Sequence, residues 1–149
     1  MYDLARQIIR TSSQDSSVYI GCDSKVFKAN DRWFARYTTV IVVHKDSKHG
    51  AQVFHYSETL PDFRNITARM TTEASHAIKV FDAIADIIGD RHVEIHLDIN
   101  ASPAHKSNAA ASQAIGYVLG STGIKPKIKP DAFAASYAAD HCVRGKNKW

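Results

Sequence analysis

The sequence predicts an α/β domain built on a five-stranded mixed sheet, and three features of its pattern carry that reading. Three β-rich stretches follow one another between residues 18 and 57, separated only by polar turns. The apolar period then lengthens from two residues to between three and four from about Thr67. Beyond Gly89, strand-like and helical stretches alternate. The order is strand, strand, strand, helix, strand, helix, strand, helix, which predicts a three-strand antiparallel meander plus two parallel strands, with helices on both faces.

Residues 2–10 can form a short amphipathic helix with Leu4, Ile8 and Ile9 on one side, and the polar run from Thr11 to Ser17 interrupts it. Residues 1–16 are therefore expected to be a helical appendage. The first strand covers Val18 to Asp23, and a polar turn at Asn30-Asp31 leads to a second from Trp33 to Val43. Gln52 to Ser57 forms the third strand. Ala77, Val80, Phe81, Ile84, Ala85 and Ile88 define a helix from about Thr67 to Ile88, with Gly89 as its stop. Val93, Ile95 and Leu97 alternate with Glu94, His96 and Asp98 in a fourth strand. An Ala-rich helix from about Lys106 to Leu119, a short fifth strand from Ile124 to Lys129 and a helix from Pro130-Asp131 to about Cys142 complete the pattern. Residues 143–149 are expected to be a basic tail.

No repeat or low-complexity linker divides the chain, so 1–149 reads as a single domain, and 44% apolar content suffices for one core. The net charge of +4 suits a polyanionic partner without requiring one. Cys22 and Cys142 lie far apart and belong to no close pair, so they read as thiols of a reducing compartment. With no leader pattern and no run near the ~20 apolar residues of a membrane span, a cytoplasmic protein is expected.

Three carboxylates stand where carboxylates are costly. Asp23 and Asp98 each close a strongly apolar strand, although each can equally be a turn aspartate. Glu73 shares its helix face with Met70, Ala77, Val80 and Ile84, the face expected to pack on the sheet. A buried carboxylate needs a partner, either a Lys or Arg or a metal ion. Carboxylates from two strand ends and a crossover helix can converge, and such hard oxygen ligands suit Mg²⁺ or Mn²⁺. His92 and His96 lie on one face of a strand, where packing or surface roles are expected rather than zinc binding.

Gly21-Cys22-Asp23-Ser24, Arg69-Met70-Thr71-Thr72-Glu73 and Leu97-Asp98, in that order, resemble the ribonuclease H-like superfamily, and within it the YkuK-type branch. The resemblance covers Val18 to Arg144 and implies that Asp23, Glu73 and Asp98 hold two catalytic ions. Pro130-Asp131-Ala132-Phe133-Ala134 resembles the start of the family's last helix, which implies Asp131 as a fourth ligand, with Asp140 and His141 as rivals. His105 and Lys106 are candidates for approaching the scissile phosphate, and Lys25, Lys127 and Lys129 for contacting other phosphates; solvated surface roles stand beside each.

Two functions follow from this resemblance. One is a metal-dependent nuclease acting on RNA, an RNA–DNA hybrid or branched DNA by two-ion hydrolysis. The other is a nucleic-acid-binding or assembly module of the same fold without catalysis. A phosphotransferase is disfavoured because no glycine-rich phosphate loop is present.

Overall fold

A computed structural model of the chain describes residues 2–47, 50–99 and 108–135. Its elements are helix α1 (Asp3–Thr11), strands β1 (Ser17–Ala29), β2 (Arg32–His44) and β3 (Ala51–Pro61), helix α2 (Ile66–Ile88), strand β4 (His92–Leu97) and helix α3 (Asn108–Thr122). The sheet has four strands in the order β3-β2-β1-β4, antiparallel except for the parallel β1–β4 pair.

The expected fifth strand is reduced to a single parallel bridge between His96 and Lys127. Lys127 exchanges backbone hydrogen bonds with Ile95 and Leu97 at 2.8 and 2.9 Å, and Lys129 donates to the Ile99 carbonyl at 2.9 Å. The segment cannot extend into a full ladder because Pro126 and Pro130 flank it and neither offers an N–H.

The meander forms as the sequence predicts, with longer strands. Asn30 and Asp31 both take left-handed backbone angles, φ 52° and 60°, which match a two-residue hairpin to the twist of its strands. β1 therefore continues past Asp23 to Ala29 rather than ending at the aspartate. Alternation then sorts its side chains. Val18, Ile20, Cys22 and Ser24 share the inner face with Ile41 and Val43 of β2, while Tyr19, Gly21 and Asp23 share the outer face with Val40 and Val42.

α2 begins at an Asn65 cap, whose side chain accepts from the Ala68 N–H at 2.9 Å, and stops at Gly89 with φ 58°. It packs Ala74, Ala77, Ile78, Val80, Ile84 and Ile88 on the inner face, in a core shared with α3 through Ala111, Ala114 and Val118. α1 belongs to this core rather than standing apart as an appendage: Ala5 and Ile9 are fully buried. Arg6 makes a bidentate pair with Asp86 at 2.7 and 2.9 Å, and the buried Arg91 guanidinium donates to the carbonyls of Ser12, Ile87 and Ile88. These carbonyls close α1 and α2, where a cation is favourable.

The described full helices all lie on the inner face. The outer face is met by the start of the last helix, residues 133–135, whose Ala134 packs on Val40 and Val42. Contact there is close enough to require a glycine, because a Cβ on Gly21 would lie 2.4 Å from the Ala134 carbonyl carbon. Gly21→Ala should therefore destabilise the protein by about 1–3 kcal/mol in urea unfolding; a change below about 0.5 kcal/mol would show that this contact is not needed.

Candidate metal centre

Parallel pairing of β1 with β4 ends at Cys22 opposite Leu97. The next residues are Asp23 and Asp98, so the register sets two carboxylates side by side at the edge where β4 stops. The Asp98 carboxyl lies close enough to act directly on Asp23 through its side chain and its charge. Glu73 reaches the same place from the first turns of α2; it is 8% exposed, and Oε1 accepts a 3.0 Å hydrogen bond from the Ser24 hydroxyl. The face predicted to bury Glu73 does bury it.

The electrostatics follow from that crowding. Burial, then the hydrogen bond and charge of Asp98, pushes Asp23 up to about 7, against the opposing pull of the Ser24 backbone and Lys129. Burial first, and the charge of Asp23 next, holds Glu73 well above the usual carboxylate range, with the Ser24 hydroxyl pulling the other way. Lys129 Nζ lies 2.7 Å from Asp98 Oδ1, and this bond raises the lysine pKa. The site is thus a cluster of acids in which Asp23 and Glu73 hold their protons more tightly than ordinary carboxyls, with the Lys129 ammonium at its rim.

Asp131 is exposed and lines one surface with Ile115, Lys125, Lys127 and Lys129, and its charge acts on His96; the groups acting most on Asp23 are Asp98, Ser24 and Lys129, and those acting most on Glu73 are Asp23, Ser24, Asp98 and Arg69. From the segment expected to bring a fourth acid, the structure brings Lys129. Lys25 is exposed two residues beyond Asp23 on the same face of β1, and Lys127 lies beside His96. His105, Lys106, Asp140, His141, Cys142 and the tail 143–149 lie outside the described residues.

The His92 and His96 pair has an acidic partner that their four-residue spacing hides. Glu94 stands between them on the same face and meets His92 Nε2 at 2.5 Å and His96 Nε2 at 2.8 Å. His96 is fully buried, and burial depresses its pKa. Its Nδ1 accepts the Ala134 N–H at 3.0 Å, which leaves the ring proton on Nε2 to donate to Glu94. His96 and Gly21, paired across β1 and β4, therefore fix the start of the last helix against the sheet just behind the carboxylates. Glycine inside an otherwise apolar strand was the signal for this close approach.

The donor chemistry fits a hard divalent cation: three carboxylates, two of them, Asp23 and Glu73, raised by burial and by the neighbouring acids, which a cation would offset. In the arrangement described, Glu73 turns to Ser24 and Asp98 to Lys129, and among the described residues no three His, Cys, Asp or Glu side chains are gathered tightly enough to hold an ion. Binding thus requires Glu73 and Asp98 to exchange these partners for the ion.

A protein-family model described as ribonuclease H-like matches residues 1–144. No curated protein matches the chain. Among solved structures, a chain in the simian T-cell lymphotropic virus intasome in complex with PP2A regulatory subunit B56 gamma is similar at 13% identity and a TM-score of 0.40, over 85% of this chain and 37% of that one. This chain thus spans well under half the length of that relative. No helix among the described residues is long and apolar enough to cross a membrane.

The raised acids predict an unusual pH dependence of stability in metal-free buffer. Because folded Asp23 has a pKa of about 7 against the ordinary 3.8, the folded state holds a proton that the unfolded chain loses first. Its contribution is full below about pH 4 and is lost as pH rises towards 7, with a slope of at most about 1.4 kcal/mol per pH unit. Urea unfolding from pH 4 to 8 should show this fall in the wild type and a shallower one in Asp23→Asn; parallel curves would refute the raised Asp23 pKa.

Proposed function

Because the chain belongs to the ribonuclease H-like family, we propose that it is a metal-dependent nuclease that hydrolyses phosphodiester bonds of RNA, an RNA–DNA hybrid or structured DNA. The observation that supports this most is the Asp23–Asp98 pair with the buried Glu73 beside it, a concentration of oxygen donors that only protons and one lysine offset. In this reading Asp23, Glu73 and Asp98 hold Mg²⁺ or Mn²⁺, and when bound the two ions supply Lewis-acid stabilisation of the phosphoryl oxygens and a water of lowered pKa.

The chain's own groups do the positioning. Ser24 keeps Glu73 turned towards β1 through its 3.0 Å hydrogen bond, and the half-exposed Lys129 can move from Asp98 to a substrate phosphate without leaving the rim of the site. His96 and Gly21 hold the outer-face segment in place close to the strand ends that carry the carboxylates. None of the carboxylates has to act as an acid or base.

A second reading, a ribonuclease H-like nucleic-acid-binding or assembly module that does not cut, is favoured by one observation. As arranged, Lys129 occupies Asp98, and no three-donor cluster is closed among the described residues. Cleavage assays separate the two. With labelled RNA, RNA–DNA hybrid and branched DNA in Mg²⁺ or Mn²⁺, the wild type should cut at least one substrate and EDTA should stop it. Asp23→Asn and Asp98→Asn should lower the rate by roughly 10²-fold or more while unfolding remains cooperative. Wild-type protein that cuts none of them, or variants that cut as well as it does, would remove the nuclease reading.

A further inference from the structure

The far end of the β1–β2 hairpin carries features that the carboxylate site does not use. Phe63, in the loop between β3 and α2, is 83% exposed, Ile66 is 45% exposed and Trp33 is 38% exposed. Large apolar groups so exposed and so close together mark an interaction surface. They are interleaved with cations: the Arg64 guanidinium carbon lies 3.8 Å from the centre of the Trp33 ring, and Lys28 Nζ lies 5.8 Å from it.

This end is held rather than loose. The Asp62 N–H donates to the Trp33 carbonyl at 2.9 Å, Asp62 accepts from Arg69 Nε at 3.2 Å, and its other oxygen accepts from the Arg64 N–H at 3.2 Å. The loop that presents Phe63 and Arg64 is thereby fixed to the hairpin, beside a cleft of 340 Å³ lined by Tyr37, Leu60, Phe63 and Thr72.

Charge identifies the occupant. Lys28, Arg32 and Arg64 have no carboxylate ion-pair partner among the described residues. Of the acids at this end, Asp62 is taken up by Arg69, which leaves Asp31 against three cations. A purely apolar peptide would leave those cations without partners. A ligand with both flat aromatic faces and a line of negative charge satisfies the whole patch, and single-stranded nucleic acid has both.

We infer that this hairpin end is a second nucleic-acid contact, on which a single-stranded segment stacks bases against Phe63 and the open edge of Trp33 while Arg64, Arg32 and Lys28 meet its phosphates. The inference rests on the proposed function only in taking nucleic acid as the ligand; it requires no catalysis. Lys28 lies five residues beyond Asp23 along β1, roughly 16 Å at the rise of a strand, so this contact is separate from the carboxylates.

Fluorescence anisotropy tests it, with 5′-fluorescein 12-mers of oligouridylate and oligothymidylate titrated with the full chain in EDTA. Phe63→Ala should weaken binding about 5- to 100-fold. Phe63→Leu, which keeps apolar bulk but has no aromatic face, should weaken it similarly, so that a folding defect in the alanine variant cannot account for the loss. Arg32→Ala with Arg64→Ala should make the slope of log affinity against log salt shallower by roughly 1.4. Phe63 variants that bind within twofold of wild type, or wild-type protein that binds neither oligomer, would overturn the inference, the second result pointing to a protein partner. Cleavage lost with binding kept removes only the nuclease reading; cleavage present with binding insensitive to Phe63 removes only this inference.

Discussion

Where the β1–β4 ladder stops governs the chemistry of this molecule. Cys22 and Leu97 are the last paired residues, both buried on the inner face, and alternation sends the next side chain of each strand, Asp23 and Asp98, to the opposite face. Two carboxylates on neighbouring strands then repel one another, and a proton or a cation near them offsets that repulsion. A register shift of one residue would send Asp23 to the inner face and separate the pair. α2 adds the third acid because its core-facing period, from Ala74 to Ile88, buries Glu73 on the inner face beside Ser24, close enough to feel the charge of Asp23.

The surroundings read as compensation for that crowding. Ser24 offers Glu73 a hydrogen bond, Lys129 offers Asp98 an ammonium, and burial raises the pKa values of Asp23 and Glu73. Behind them, Gly21 admits the backbone at Ala134, and neutral His96 links that backbone to Glu94. A strand glycine and a buried histidine thus stand one layer from the acids, and their work is to hold the outer face closed where the site needs a firm back wall.

Much of this was legible in the sequence. The change of apolar period located α2 within one residue at its start, and its face pattern predicted the burial of Glu73. The strand-end positions brought Asp23 and Asp98 together even though β1 runs on to Ala29, because the end that matters is that of the β4 pairing. What was not legible depends on contacts between distant segments. The fifth strand failed because prolines at both ends of Lys127–Lys129 limit it to one bridge, which a β-propensity reading does not weigh. α1 joined the core through Arg91, whose carbonyl partners on α1 and α2 no local pattern reveals. Lys129 rather than Asp131 reached the cluster because the path of the segment after β4, and not its residue types, decides which side chain points inward.

The central claim is that the crowded carboxylates of Asp23, Asp98 and Glu73 stand where a cation binds. Titration calorimetry with Mn²⁺ at pH 6.5, in two buffers of different ionisation enthalpy, tests it most directly, because that pH lies below the Asp23 pKa of about 7. The account predicts saturable binding to the wild type with net release of protons, and loss of binding in Asp23→Asn. Binding that releases no proton, or that persists unchanged in Asp23→Asn, would contradict it.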